Sequence, residues 1–122
     1  MRKVVFHSSF LMAVVEKPTT WYEDILEKMG KIEPVILDCT KAELERLAQG
    51  ETRRARYAAL ALELTKEFGV EKCGGLPVDD EIASYGESAK AIVATVDAAL
   101  LKRLRLMRVD AIALRSGRVA VS

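Results

Sequence analysis

The chain has 122 residues, half of them hydrophobic, and a formal net charge of +1. That length predicts one domain over 1–122, with enough apolar material for a real core. The balanced charge argues neither for nor against a nucleic-acid partner, and any basic patch must be local.

Lys3 to Phe6 reads as a buried strand, because its apolar residues are continuous rather than alternating. His7-Ser8-Ser9 leaves that strand. The apolar run Phe10 to Val15 meets Glu16-Lys17-Pro18, so it is too short for a membrane span, and no signal-peptide cleavage pattern is expected. Thr20 is placed to cap a helix from Trp21 to Met29, with Gly30 as its stop. Val35 to Leu37 is a second buried strand. Thr40-Lys41-Ala42-Glu43 has capping-box spacing and predicts a helix through Leu44, Leu47 and Ala48, stopped by Gly50.

Residues 53–68 predict a helix with Tyr57, Leu60, Ala61, Leu64 and Phe68 on one face and Gly69 as its stop. Val70 to Lys72 is a short strand, and Cys73 to Pro77 a flexible loop. The Asp79-Asp80 pair opens a helix with Ile82, Ala83 and Gly86 on one face. Ala91 to Ala94 is a strand, and Asp97 caps a helix to about Met107. Ala111 to Leu114 is a strand, Ser116-Gly117 a turn, and Val119 to Val121 a hairpin edge. Strands alternating with helices predict an α/β fold: a central parallel sheet of four or five strands with helices on both faces. The two cysteines form no C-x-x-C and the histidine stands alone, so no zinc set is expected. Free thiols suit a reducing, cytoplasmic setting.

Four acids invite a functional reading. Each has a plain structural explanation: Glu43 as a capping-box partner, Asp79 and Asp80 in a first turn, Asp97 as a cap. Together, Glu43, Asp79 and Asp97 fall beyond strand ends on one expected sheet edge, where open α/β sheets place their sites. The expected focus is where the first strand meets the strand at 91–94. Converging carboxylates repel one another unless a hard divalent cation neutralises them, and such an ion suits phosphodiester hydrolysis.

These residues carry a resemblance. His7-Ser8-Ser9, Glu43-Leu44, Asp79 and Thr95-Val96-Asp97 stand in the order of the strand-end, helix and Thr-x-Asp motifs of PIN domains, small metal-dependent RNA nucleases. Asp38-Cys39, Ala42 to Leu47, Val78-Asp79-Asp80 and Ile92 to Asp97 look most like the branch that includes the eukaryotic small-subunit-processome proteins and their archaeal relatives. The resemblance implies a three-layer α/β/α fold with strand order 3-2-1-4-5 and Mg²⁺ or Mn²⁺ as cofactor. It implies Glu43, Asp79 and Asp97 as catalytic and metal-binding, with Ser9, Asp80 and Thr95 in support. It implies single-stranded RNA or rRNA as partner. A homodimer or a protein partner is left open, and no membrane is implied.

The departure is at the first position. The family's Asp is His7 here, and its Asn is Ser9. As a metal ligand His7 removes one negative charge and suits Mn²⁺ or Zn²⁺ better than Mg²⁺. Either a divalent-metal-dependent endoribonuclease of RNA processing works with an impaired or altered site, or the domain is an inactive scaffold that binds RNA or protein. Alternatively His7 is a buried, hydrogen-bonded strand-end residue.

Two basic groups complete the reading: Arg53 and Arg54 with Arg56, and Lys102, Arg105 and Arg108 with Arg103. Solvated helix faces explain each; flanking the acids, they would hold RNA phosphates. Trp21 and Tyr22 are candidates for base stacking or core packing. A receiver domain is disfavoured because no acid directly follows the first strand. A dinucleotide-binding domain is disfavoured because no G-x-G-x-x-G follows it.

Overall fold

A computed structural model describes residues 1–122. In chain order the elements are β1 (Arg2–Phe6), α1 (Ser8–Glu16), α2 (Trp21–Met29), β2 (Ile32–Leu37), α3 (Asp38–Ala48), α4 (Arg53–Leu64), β3 (Gly69–Glu71), α5 (Val78–Ser88), β4 (Ile92–Ala94), α6 (Ala98–Leu106), β5 (Ala111–Arg115) and β6 (Arg118–Val121). One sheet runs β3-β2-β1-β4-β5-β6. Its first five strands are parallel in the expected order, and β6 closes the edge antiparallel to β5. Ser116 and Gly117 both take positive φ, 51° and 77°, as a two-residue turn matching strand twist requires.

Period-two alternation divides the buried strand residues between two cores. Val4, Phe6, Ile36, Ile92 and Ala94 join one cluster with Phe10, Trp21, Leu44 and Ala58. Val5, Val35, Leu37 and Val93 join the other with Ile82, Leu100 and Leu104. Helices thus cover both faces of the sheet. The strand order reverses between β1 and β4, which opens a crevice at their carboxyl ends.

Several local expectations are corrected. The apolar run after His7, expected only to fall short of a membrane span, is helix α1; it buries Phe10, Leu11 and Val14. Thr20 makes no capping bond, and the Trp21 N–H donates instead to Thr19 Oγ1 at 3.1 Å. Helix α3 begins at Asp38, straight out of β2, so Thr40 lies inside it and no capping box forms. Helix α4 stops at Leu64 rather than near Gly69, because the Thr65 hydroxyl donates back to the Ala61 and Leu62 carbonyls. Its buried face is Ala55, Ala58 and Ala61, while Leu60 is exposed. These small side chains let α4 pack closely on its neighbours α3 and α1. Trp21 is core, edge-on to Phe6 and Phe10, with Tyr22 against it.

The cysteines also differ from expectation. Cys39 and Cys73 form a disulfide, which removes the argument from free thiols to a reducing compartment. The bridge ties the start of α3 to the loop before α5, beside a bond from the Cys73 N–H to Asp38 Oδ1. No helix is long and apolar enough to cross a membrane.

Candidate functional site

The site grows from the end of β1. The His7 N–H donates to the Ala94 carbonyl at 2.9 Å, carrying the β1–β4 pairing one residue past the ladder. His7 then takes the extended N-cap position of α1, and its ring is buried. Nδ1 lies 2.7 Å from Ser9 Oγ and 2.9 Å from Thr95 Oγ1, and Nε2 lies 3.0 Å from Asp79 Oδ1. A carboxylate accepts, so Nε2–H is aimed at Asp79, and in the neutral ring the single Nδ1 lone pair accepts from one of the two hydroxyls while the other bonds its neighbour. Both ring nitrogens are therefore committed within the protein. In this arrangement His7 meets Asp79 as a hydrogen-bond donor.

The two hydroxyls bind the ends of β1 and β4 together. Ser9 Oγ and Thr95 Oγ1 are 3.0 Å apart. Ser9 accepts the Val96 N–H at 3.0 Å, and Thr95, fully buried, accepts the Asp97 N–H at 3.1 Å. Asp97 is thereby fixed to cap α6, its Oδ1 accepting the Leu100 N–H at 2.8 Å. Glu43 sits in the second turn of α3 with Oε1 buried and without a partner. Asp79, in the first turn of α5, is half exposed. Asp80 turns aside to pair with Arg103 of α6, so it does not join the other acids.

These residues share one cleft of about 900 Å³, lined by His7, Ser9, Glu43, Asp79 and Asp97 on its acidic side. Arg46, Arg53, Arg54 and Tyr57 line it as well. Arg46 and Tyr57 were not expected at the site, although Arg46 is three residues from Glu43 and Tyr57 three from Arg54, both on-face helical spacings. Lys102, Arg105 and Arg108 do not line this cleft. Arg105 instead borders a smaller depression with Val96, Leu114 and Val121, its guanidinium donating to Ser122 Oγ.

The donor set suits a hard cation. Glu43 offers a buried, unpartnered oxygen, and Asp79 and Asp97 each keep one oxygen outside the bonds described. The ligating atoms of Glu43, Asp79 and Asp97 do not all lie within 4.8 Å of one another; the set that does is Asp38, Cys39 and Cys73, whose sulfurs are bonded together. An ion between the three carboxylates would keep several of its waters, as Mg²⁺ usually does.

Solved structures share this architecture. The PIN domain endonuclease Utp24 superposes with a TM-score of 0.82 at 25% identity, over 98% of this chain and 90% of that one. A domain of a functionally unknown protein from Methanocaldococcus jannaschii DSM 2661 reaches 0.69 at 17% identity, over 100% and 97% of the two chains. PAE2754 from Pyrobaculum aerophilum reaches 0.56 at 19% identity, over 87% and 86%. No curated protein sequence matches the chain. A family profile described as a PIN like domain matches residues 4–117, and the chain belongs to that family.

Proposed function

We propose that this chain is a divalent-metal-dependent endoribonuclease of RNA processing, acting on single-stranded RNA or rRNA at a site weakened by His7. The observation that carries the reading is the meeting of Glu43 of α3, Asp79 of α5 and Asp97, the N-cap of α6, in one cleft at the strand carboxyl ends. The 25% identity to an endonuclease over almost the whole chain supports it. Glu43, Asp79 and Asp97 would hold Mg²⁺ or Mn²⁺. When bound, such an ion acidifies a water and neutralises charge building on a phosphate. The protein's part is to orient its ligands: Thr95 and the α6 amide fix Asp97, and His7 holds Asp79.

His7 supplies one negative charge fewer than a carboxylate at the same place, so Mg²⁺ binding is weaker and cleavage low, with Mn²⁺ the better cofactor. His7→Asp should raise cleavage of a labelled single-stranded RNA by on the order of tenfold, the scale on which groups around a metal change affinity or activity. Asp97→Asn in that background should abolish the gain. Strong Mg²⁺-dependent cleavage by wild type, lost in Asp97→Asn, would refute the weakened site while keeping the nuclease. A second reading, an inactive RNA- or protein-binding scaffold in ribosome biogenesis, is favoured by the commitment of both His7 nitrogens inside the protein. It predicts no cleavage by any variant with RNA binding retained.

A further inference from the structure

The cleft has a second wall that the acids do not explain. Arg46 comes from the last turn of α3, and Arg53 and Arg54 open α4, with Tyr57 one turn on. All four side chains line the cleft. Some arginines outside the cleft are tied to acids, and Arg56, Lys102, Arg105 and Arg108, which form no ion pair, do not line it. Arg2 pairs with Asp110, Arg103 with Asp80 and Arg118 with Asp24. Arg46, Arg53 and Arg54 make no ion pair and no side-chain hydrogen bond, although Glu16 and Glu43 line the same cleft. Three guanidinium groups therefore face the opening with their donors uncommitted. The amino end of α4 adds its positive dipole on the same side.

We propose that Arg46, Arg53 and Arg54 hold the phosphates of a single RNA strand while Tyr57 stacks on an unpaired base, and that the α6 cations take no part. The proposal rests on the reading of the cleft as an RNA site and adds which wall grips the strand. Charge complementarity selects the occupant. A phosphodiester accepts a guanidinium fork at each of the three arginines, with no metal needed for that grip. An acidic peptide has no flat base to meet the half-buried Tyr57 ring. Arg56, on α4 but absent from the cleft lining, serves as an internal control.

The test is fluorescence anisotropy of a labelled oligouridylate against the full chain in EDTA, across a salt series. Binding is thus read without cleavage. Arg46→Ala should lower the slope of log affinity against log salt by about 0.7, and Arg53→Ala with Arg54→Ala by about 1.4, the single-strand value for each phosphate no longer neutralised. Tyr57→Ala should weaken binding on the order of tenfold, leaving the slope unchanged. Arg56→Ala and the combined Lys102→Ala, Arg105→Ala, Arg108→Ala variant should match wild type. A duplex of the same length should bind more weakly than the single strand.

No measurable RNA binding by wild type would overturn the proposal. So would a slope that falls only in the α6 variant, or polyglutamate binding as tightly as RNA. Binding as expected without cleavage under any metal would sink the nuclease reading and leave the grip standing. Cleavage with unaltered binding in the cleft-arginine variants would do the reverse.

Discussion

At the scale of single residues the site is held by hydrogen bonds that leave little freedom. Thr95 is fully buried and its hydroxyl meets His7, Ser9 and the Asp97 N–H. Valine has nearly the same shape but no hydroxyl. Thr95→Val therefore leaves the Asp97 amide short of an acceptor and His7 with one hydroxyl partner. A cost of about 1–3 kcal/mol is expected, the penalty for stranding buried polar groups. Urea unfolding of the two proteins measures it, and a midpoint unchanged within error would show that the network is dispensable for stability. Sequence alone shows Thr-x-Asp as a motif, but not that its threonine joins two strand ends.

At the scale of elements, helix α5 is seated by its lack of a side chain at Gly86. A Cβ there would lie 2.8 Å from Val93 Cγ2 and 2.9 Å from Val109 Cγ1. Both valines are buried, one of them in β4, so neither can swing clear. Alanine would gain about 1 kcal/mol of helix propensity. Overpacking at these distances costs about 1–3 kcal/mol, so Gly86→Ala should destabilise on balance. Thermal unfolding decides the sign, and a higher Tm would show that α5 can shift outward freely. The disulfide acts between elements too. It closes a loop of 34 residues, which in the chain-entropy account contributes roughly 3–4 kcal/mol. Replacing Cys39 and Cys73 together by Ser should lower stability on that scale. Equal unfolding midpoints with and without a thiol reductant would show that the bridge adds nothing.

At the scale of the whole molecule, the edge hairpin is locked to helix α2, from the other end of the chain, by one carboxylate. Asp24 of α2, almost fully buried, takes Arg118 Nε and Nη2 at 2.8 Å each and the Val119 N–H at 3.1 Å. The hydrogen bonds from Arg118 and then from the backbone hold its pKa down at about 2, against 3.8 when unfolded. A lowered folded pKa means that the unfolded chain binds the proton first. The contribution is thus whole above pH 3.8 and fades as pH falls toward 2. Wild type should exceed Asp24→Asn in urea midpoint at pH 6, with the gap closing toward pH 2. A gap that stays constant across that range would exclude the linkage.

Local signals in the chain account for the α/β class, the hairpin turn and the Asp97 cap, whereas the order of the five strands comes only with the family resemblance. Those signals are uninterrupted apolar runs, glycine stops and side chains that bond their own backbone. They also bring Glu43, Asp79 and Asp97 to notice, since parallel crossovers send every strand's carboxyl end to one edge. Pairing at long range is different, because it is settled by the folded arrangement. The chain carries no local mark that Cys39 meets Cys73, that His7 hydrogen-bonds Asp79, or that Asp80 turns to Arg103. Nor does it mark Arg46 and Tyr57 as neighbours of the acids while Arg105 lies elsewhere. Those outcomes depend on how α4 settles against α3 and α1 and how α6 crosses the opposite face. Packing across the sheet sets them, and helical spacing within one segment does not specify it.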